Sequence, residues 1–180
     1  MPQPGLVARS VGFTHQETTV FVGAPPVLGP SAVLFGNVDN DPRGESELVV
    51  GGVNGTLMVF KARHPPQAFF KASGLGMISA LAMGPLLCLP GHGGRPSNQL
   101  VACSMDGWCH VFDIRWDGGS FASFQEYEYN NNGEVQPVLT LACPRNVSAC
   151  ELGDISGDGR RVAVAASTCG TAAVLRSRMR

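Results

Sequence analysis

Three stretches of this chain repeat one short grammar, and that repetition limits its folds more than any single motif does. LVVG at 48–51 runs through VNGT into LMVF at 57–60. LVAC at 100–103 runs through MDGW into CHVF at 109–112. VAVA at 162–165 runs through TCGT into AAVL at 172–175. Each is an apolar strand, a Gly turn and a second strand. Asn-Gly and Asp-Gly are what a two-residue hairpin turn asks for, because both of its central positions take φ > 0. Gly55, Gly107 and Gly170 are therefore expected in tight turns between antiparallel strands.

A further strand ending in Gly precedes each hairpin: AVLFG at 32–36, ISALAMG at 78–84 and VSACELG at 147–153. Residues 67–71 and 121–127, rich in aromatics, are expected as fourth strands. Three or four short antiparallel strands recurring every several tens of residues are the mark of propeller blades. The predicted class is all-β, a propeller of four-stranded antiparallel blades with about three blades of an incomplete ring. A strand and linker at 1–30 come first. Unit 1 covers 31–76, unit 2 covers 77–137 with long loops at 85–98 and 115–137, and a partial unit 3 covers 138–180. The competing architecture is a β-sandwich. Its unrelated strands would not share one order of acidic loop, apolar strand, Gly turn and strand.

Composition agrees and removes other classes. Gly reaches 23 and Pro 13, while charged residues make up 15 %, the profile of a turn-rich β protein. A net charge of −1 supplies no field for nucleic acid, and the basic run 176–180 reads as a solvated terminus. The N-terminal residues contain no continuous apolar core of a secretory signal. The longest apolar stretch, 78–89, is broken by Gly84 and Pro85 and is too short to span a bilayer. The six cysteines show no CxxC pair and read as reduced thiols. Asn54 and Asn146 match the glycosylation pattern, which matters only in a secreted chain.

The segments GNVDNDPRGESELVVGGVNGTLMVF and GDISGDGRRVAVAASTCGTAAVL resemble FG-GAP repeats, the blade units of integrin α-chain propellers. With NQLVACSMDGWCHVFDI, they resemble more specifically the N-terminal part of the integrin-α FG-GAP-repeat-containing protein 2 family. The resemblance covers roughly 30–176, and its most specific element is GWCHVFDI. It implies a subunit of KICSTOR, a lysosome-associated scaffold of nutrient sensing upstream of mTORC1, with the other KICSTOR subunits and, through them, GATOR1 as partners. A ring of about seven blades needs several hundred residues, so this chain is expected to be an N-terminal part, a short isoform or an incomplete gene reading. Self-association through uncovered blade flanks is expected of it in isolation.

The same resemblance raises a calcium question. The FG-GAP loop resembles D-x-D-x-D-G-x-x-D, and calcium takes oxygens from such alternating acids. In the first unit the pattern falls on Asn37, Asp39, Asp41 and Glu45, or on Glu47 if two extra residues intervene; Pro42 stands where Gly would ease the turn. In the third unit it falls on Asp154, Ser156 and Asp158, with Val162 at the ninth position and Arg160 and Arg161 alongside. The second unit has no acids after Gly84. Asp, Asn and Gly also cap loops through their own side chains without any ion. That ion-free reading is preferred for both loops, so no cofactor is expected.

No catalytic constellation emerges. His15, His64, His92 and His110 have no ligand spacing, and His110 sits inside a strand. PGHGGRP at 90–96 lacks the features of a phosphate loop. FASFQEYEY at 121–129 carries Glu126 and Glu128, which argue against base stacking. Trp108 and Trp116 are considered as partner anchors, though Trp108, just after a hairpin Gly, reads first as core or rim packing. The chain is expected to be a non-enzymatic scaffold, cytoplasmic and peripheral to the lysosomal membrane, with no nucleic acid and no membrane insertion. The alternative is an extracellular, calcium-stiffened adhesion propeller like those of integrins, against which the missing signal and unpaired cysteines count.

Overall fold

The structure is a computed structural model that describes residues 23–61, 68–87, 96–115 and 135–176. Among these residues the fold is all-β: eleven strands and one 3-10 turn, Pro30–Ala32. The first sheet has the order β1 (Val33–Gly36), β2 (Glu47–Gly51), β3 (Leu57–Lys61), β4 (Ala68–Ala72). The second repeats it with β5 (Ile78–Gly84), β6 (Gln99–Ser104), β7 (Trp108–Phe112) and β8 (Leu139–Ala142). The third comprises β9 (Val147–Gly153), β10 (Val162–Ser167) and β11 (Ala172–Leu175). Every pairing is antiparallel between sequence neighbours. The first strands of the three sheets lie beside one another, β1 by β5 and β5 by β9. This is the packing of consecutive propeller blades, each sheet burying one face on the next.

Two interfaces of different texture result. Between the first and second sheets the side chains are large: Leu57, Phe70, Ile78, Leu100 and Phe112 are buried together. Phe70 and Phe112 meet edge to face with centroids 5.5 Å apart, the arrangement aromatic quadrupoles favour. Gly51 lets this approach happen, since a Cβ there would stand 2.4 Å from Ile78 Cγ2. Between the second and third sheets the packing is small: Ala80, Ala82, Cys103, Cys109, Cys150, Ala163 and Ala165. The described cysteines are free thiols, three of them buried.

Two expectations are corrected. The hairpin loops have three residues rather than two. Gly55 N–H bonds Gly52 O, Gly107 N–H bonds Ser104 O and Gly170 N–H bonds Ser167 O. Gly55, Gly107 and Gly170 have φ of 78°, 95° and 78°, while Asn54, Asp106 and Cys169 do not take positive φ. One left-handed residue after a type I turn is the three-residue solution, and it needs Gly at the last position only. This explains why TCGT works as well as VNGT. The second correction concerns the fourth strand of the second sheet. It is Leu139–Ala142, paired with β7, so this unit runs past residue 137; residues 121–127 lie outside the described part. In the first sheet the fourth strand is Ala68–Ala72, close to the expected 67–71. Among the described residues no helix is long and apolar enough to cross a membrane.

Candidate functional site

The first acidic loop, between β1 and β2, is folded inward. Asp39 and Asp41 are 1 % and 5 % exposed, and Glu47, the first residue of β2, is fully buried. One carboxylate oxygen of each lies within 4.8 Å of the others. Cross-strand pairing sets Lys61, the last residue of β3, opposite Glu47, and its ammonium reaches into the group. Lys61 Nζ is 2.6 Å from Asp39 Oδ2, 3.8 Å from Glu47 Oε1 and 4.0 Å from Asp41 Oδ2. The same ammonium lies 5.5 Å from the centre of the Phe69 ring, an apolar wall that thins the water around it.

The other side-chain oxygens of Asn37, Asp39, Asp41 and Glu47 are committed to backbone. Asp41 N–H donates to Asn37 Oδ1 and Asp39 Oδ1, and Asn37 Nδ2 donates to Asp41 O at 3.0 Å. Asp41 Oδ1 accepts from Arg43 N at 2.7 Å, and Glu47 Oε2 accepts from Val38 N at 3.0 Å. Of the four positions expected to converge, the loop brings Asp39 and Asp41 together. Asn37 is spent on the turn, and Glu45 faces Arg43 at 3.9 Å. The third carboxylate is Glu47. Calcium takes about six to eight oxygens. Within the triad of Asp39, Asp41 and Glu47, the oxygens Asp39 Oδ2, Asp41 Oδ2 and Glu47 Oε1 face Lys61, the first within hydrogen-bond distance and the other two at 4.0 and 3.8 Å.

Burial disfavours charge on Glu47, and Asp39 and then Asp41 repel it further. The Val38 N–H and Lys61 oppose them incompletely, so the Glu47 carboxyl rises from 4.5 to about 7. For Lys61, burial alone would lower the ammonium. The hydrogen bond and charge of Asp39, followed by Glu47 and Asp41, outweigh it and raise the group above its ordinary value.

The second sheet shows what this position does without charge. Gln99 stands on β6 where Glu47 stands on β2, each opposite the final Gly of the preceding strand. Its Oε1 accepts from Leu86 N and Leu87 N at 2.8 and 2.9 Å, as Glu47 Oε2 accepts from Val38 N. The first loop also grips the second sheet. Asn98 N donates to Asn40 Oδ1 at 2.7 Å, Asn40 Nδ2 donates to Asn98 O at 3.0 Å, and Asn98 Nδ2 donates to Asn37 O at 2.9 Å. Asn40 holds φ at 58° to do so, a conformation Asn tolerates better than most residues.

The third acidic loop is different. Asp154 is exposed, and its carboxylate accepts from Ser156 N, Gly157 N and Gly159 N at 3.0, 2.8 and 2.7 Å. Asp158 Oδ1 accepts from Arg160 N at 3.0 Å. These bonds, that of Gly159 first, hold the Asp154 carboxyl below the usual carboxylate range. Asp154, Ser156 and Asp158 thus form a turn closed on its own backbone.

Two other singled-out residues are placed. His110 is buried within β7, with Nε2 3.1 Å from Leu75 O and Nδ1 3.1 Å from Thr140 Oγ1. The carbonyl must accept, so Nε2 carries the proton and Nδ1 takes the hydroxyl. Burial lowers this histidine below its ordinary value. Trp108 opens β7 and is 49 % exposed. Trp116, His15, His64, His92 and residues 121–129 lie outside the described part. Reasoning from the sequence did not find Lys61, Asn40 or Asn98. The one available signal was register, which places Lys61 across from Glu47.

The chain resembles proteins named KICSTOR complex protein ITFG2 from Bos taurus and Mus musculus. It is 32 % and 33 % identical to them over 152 residues, or 84 % of this chain. It spans 26 % and 31 % of their lengths. The family described as integrin-alpha FG-GAP repeat-containing protein 2 matches residues 61–176. With its blade-like sheets and FG-GAP-type loops, the chain belongs to the integrin-alpha FG-GAP repeat-containing protein 2 family.

Proposed function

We propose that this chain is the part of a non-enzymatic propeller scaffold through which its protein joins a KICSTOR-type complex in amino-acid control of mTORC1. The observation that carries this is the similarity to KICSTOR complex proteins across 84 % of the chain. The polar clusters of the structure support a scaffold role. Glu47, Gln99 and His110 each satisfy backbone groups of neighbouring segments, which stiffens blades. A stiff propeller offers loops and rims to partners without chemistry. The partners proposed are the other subunits of the complex and, through them, GATOR1. The place of action is cytoplasmic, at the periphery of the lysosomal membrane.

Trp108 is the side chain we assign to the partner surface. It projects from a hairpin rim with half its area exposed, and Trp is the residue most enriched among binding hot spots. The test is affinity capture from cells of the tagged protein that contains this chain, followed by identification of co-purifying KICSTOR and GATOR1 subunits. Recovery of those subunits, reduced by Trp108→Ala while the thermal midpoint holds, is the expected result. Capture that lacks every KICSTOR subunit refutes the assignment to the complex. Undiminished capture with Trp108→Ala refutes the surface alone.

A further inference from the structure

We propose that Lys61 is the resident cation of the first acidic loop: its ammonium stands where the FG-GAP pattern would hold a divalent ion, so the chain closes this loop by itself, without calcium.

Position comes first. An ion bound to Asp39 Oδ2 would sit about 2.3–2.6 Å from it, and Lys61 Nζ already lies 2.6 Å away. Ion and ammonium exclude one another. Donor supply comes second. Asp39 Oδ1, Asp41 Oδ1, Asn37 Oδ1 and Glu47 Oε2 are bound to backbone N–H groups. Of the three oxygens left, Asp39 Oδ2 takes the ammonium's hydrogen bond, while Asp41 Oδ2 and Glu47 Oε1 face it as charges at 4.0 and 3.8 Å. A calcium ion in its place would need backbone carbonyls and water to complete its shell. Tethering comes third. Lys61 and Glu47 are paired residues of adjacent strands, so the hairpin that builds the blade also delivers the cation. A free ion would have to displace a group held in place by the fold.

The second sheet adds an independent sign. Gln99 performs the same backbone task with a neutral amide, so the fold does not need a charge at this place. Glu47 spends one oxygen on that task and turns the other to Lys61. Its carboxylate makes sense as one wall of a cation site, and Lys61 is the cation the chain supplies.

The test uses the full chain, with calcium chloride against a chelator as the probe. In the wild type, the thermal midpoint is expected to be the same with calcium and with chelator. Lys61→Ala is expected to melt lower in chelator. Added calcium is then expected to restore it, by about 3–6 °C for each tenfold excess over its dissociation constant. A chelator-reversible rise in the wild-type midpoint overturns the proposal, and so does a folded Lys61→Ala chain indifferent to calcium. Because Lys61→Ala could fail to fold, a second readout uses the wild type alone. Lys61 should react several-fold more slowly than exposed Lys71 with an amine-acylating reagent, and Asp39→Asn should remove that protection. Equal rates for Lys61 and Lys71 in the wild type overturn the proposal.

Discussion

The first and third acidic loops begin from nearly the same text and end as different objects. One is buried and closes around an ammonium from a neighbouring strand. The other is exposed, and Asp154 closes it on its own backbone. Two substitutions of context account for the difference. The residue opposite the blade's final Gly is Glu47 in the first sheet and Val162 in the third, so the third loop lacks an inward carboxylate. The first loop is also covered by the second sheet through Asn40 and Asn98. Burial turns a solvated cluster of acids into one that must be neutralised. Alternating acids therefore specify a turn, and the neighbouring strand and blade decide whether that turn becomes a charged site.

The contrast can be broken most severely at Lys61. Lys61→Met leaves three buried carboxylates facing no cation and should cost about 3 kcal/mol, a fall of roughly 10 °C in the thermal midpoint. Asn40→Ala removes three side-chain bonds across the blade interface, two with Asn98 and one to Ile114 O, and forces a strained φ, and should cost about 2 kcal/mol by denaturant unfolding. Asn40→Gly should recover the part that belongs to φ.

The next effect is one of pH. The folded Glu47 carboxyl, at about 7, lies above its ordinary 4.5, so the folded state holds the proton more tightly. Its contribution to stability is therefore present at low pH and lost as pH rises from about 4.5 to 7. Glu47→Gln keeps an oxygen for Val38 N–H and should abolish that slope, leaving the variant at least as stable as the wild type at pH 8. Unfolding midpoints measured at pH 5 and pH 8 decide this. The smallest effect is expected at Asp154→Ala. Faster amide exchange at Ser156, Gly157 and Gly159 should appear with little change in global unfolding.

Local grammar made much of this molecule readable. The three Gly turns, the strands around them and the two acidic loops follow from short-range chemistry, as does a fourth strand near 68–72. What could not be read is long-range. Lys61 meets Asp39 only because β3 pairs with β2, and Asn40 meets Asn98 across 58 positions and two sheets. In composition Leu139–Ala142 is overshadowed by the aromatic-rich residues 121–127. It is short and ordinary, and its place beside β7 is fixed by pairing rather than by composition. The turn length was misread because Asn-Gly suits two loop types, and only backbone bonds tell them apart.

The ion pair at the centre of the first loop is most directly tested by a double-mutant cycle on Asp39→Asn and Lys61→Met, read by equilibrium unfolding at pH 8. A buried ammonium closing the loop should give a coupling free energy of about 1.5 kcal/mol or more, with the double variant clearly more stable than the sum of the single losses implies. Losses that add within about 0.5 kcal/mol, as for independent sites, would contradict it, and the first loop would then be a solvated turn like the third.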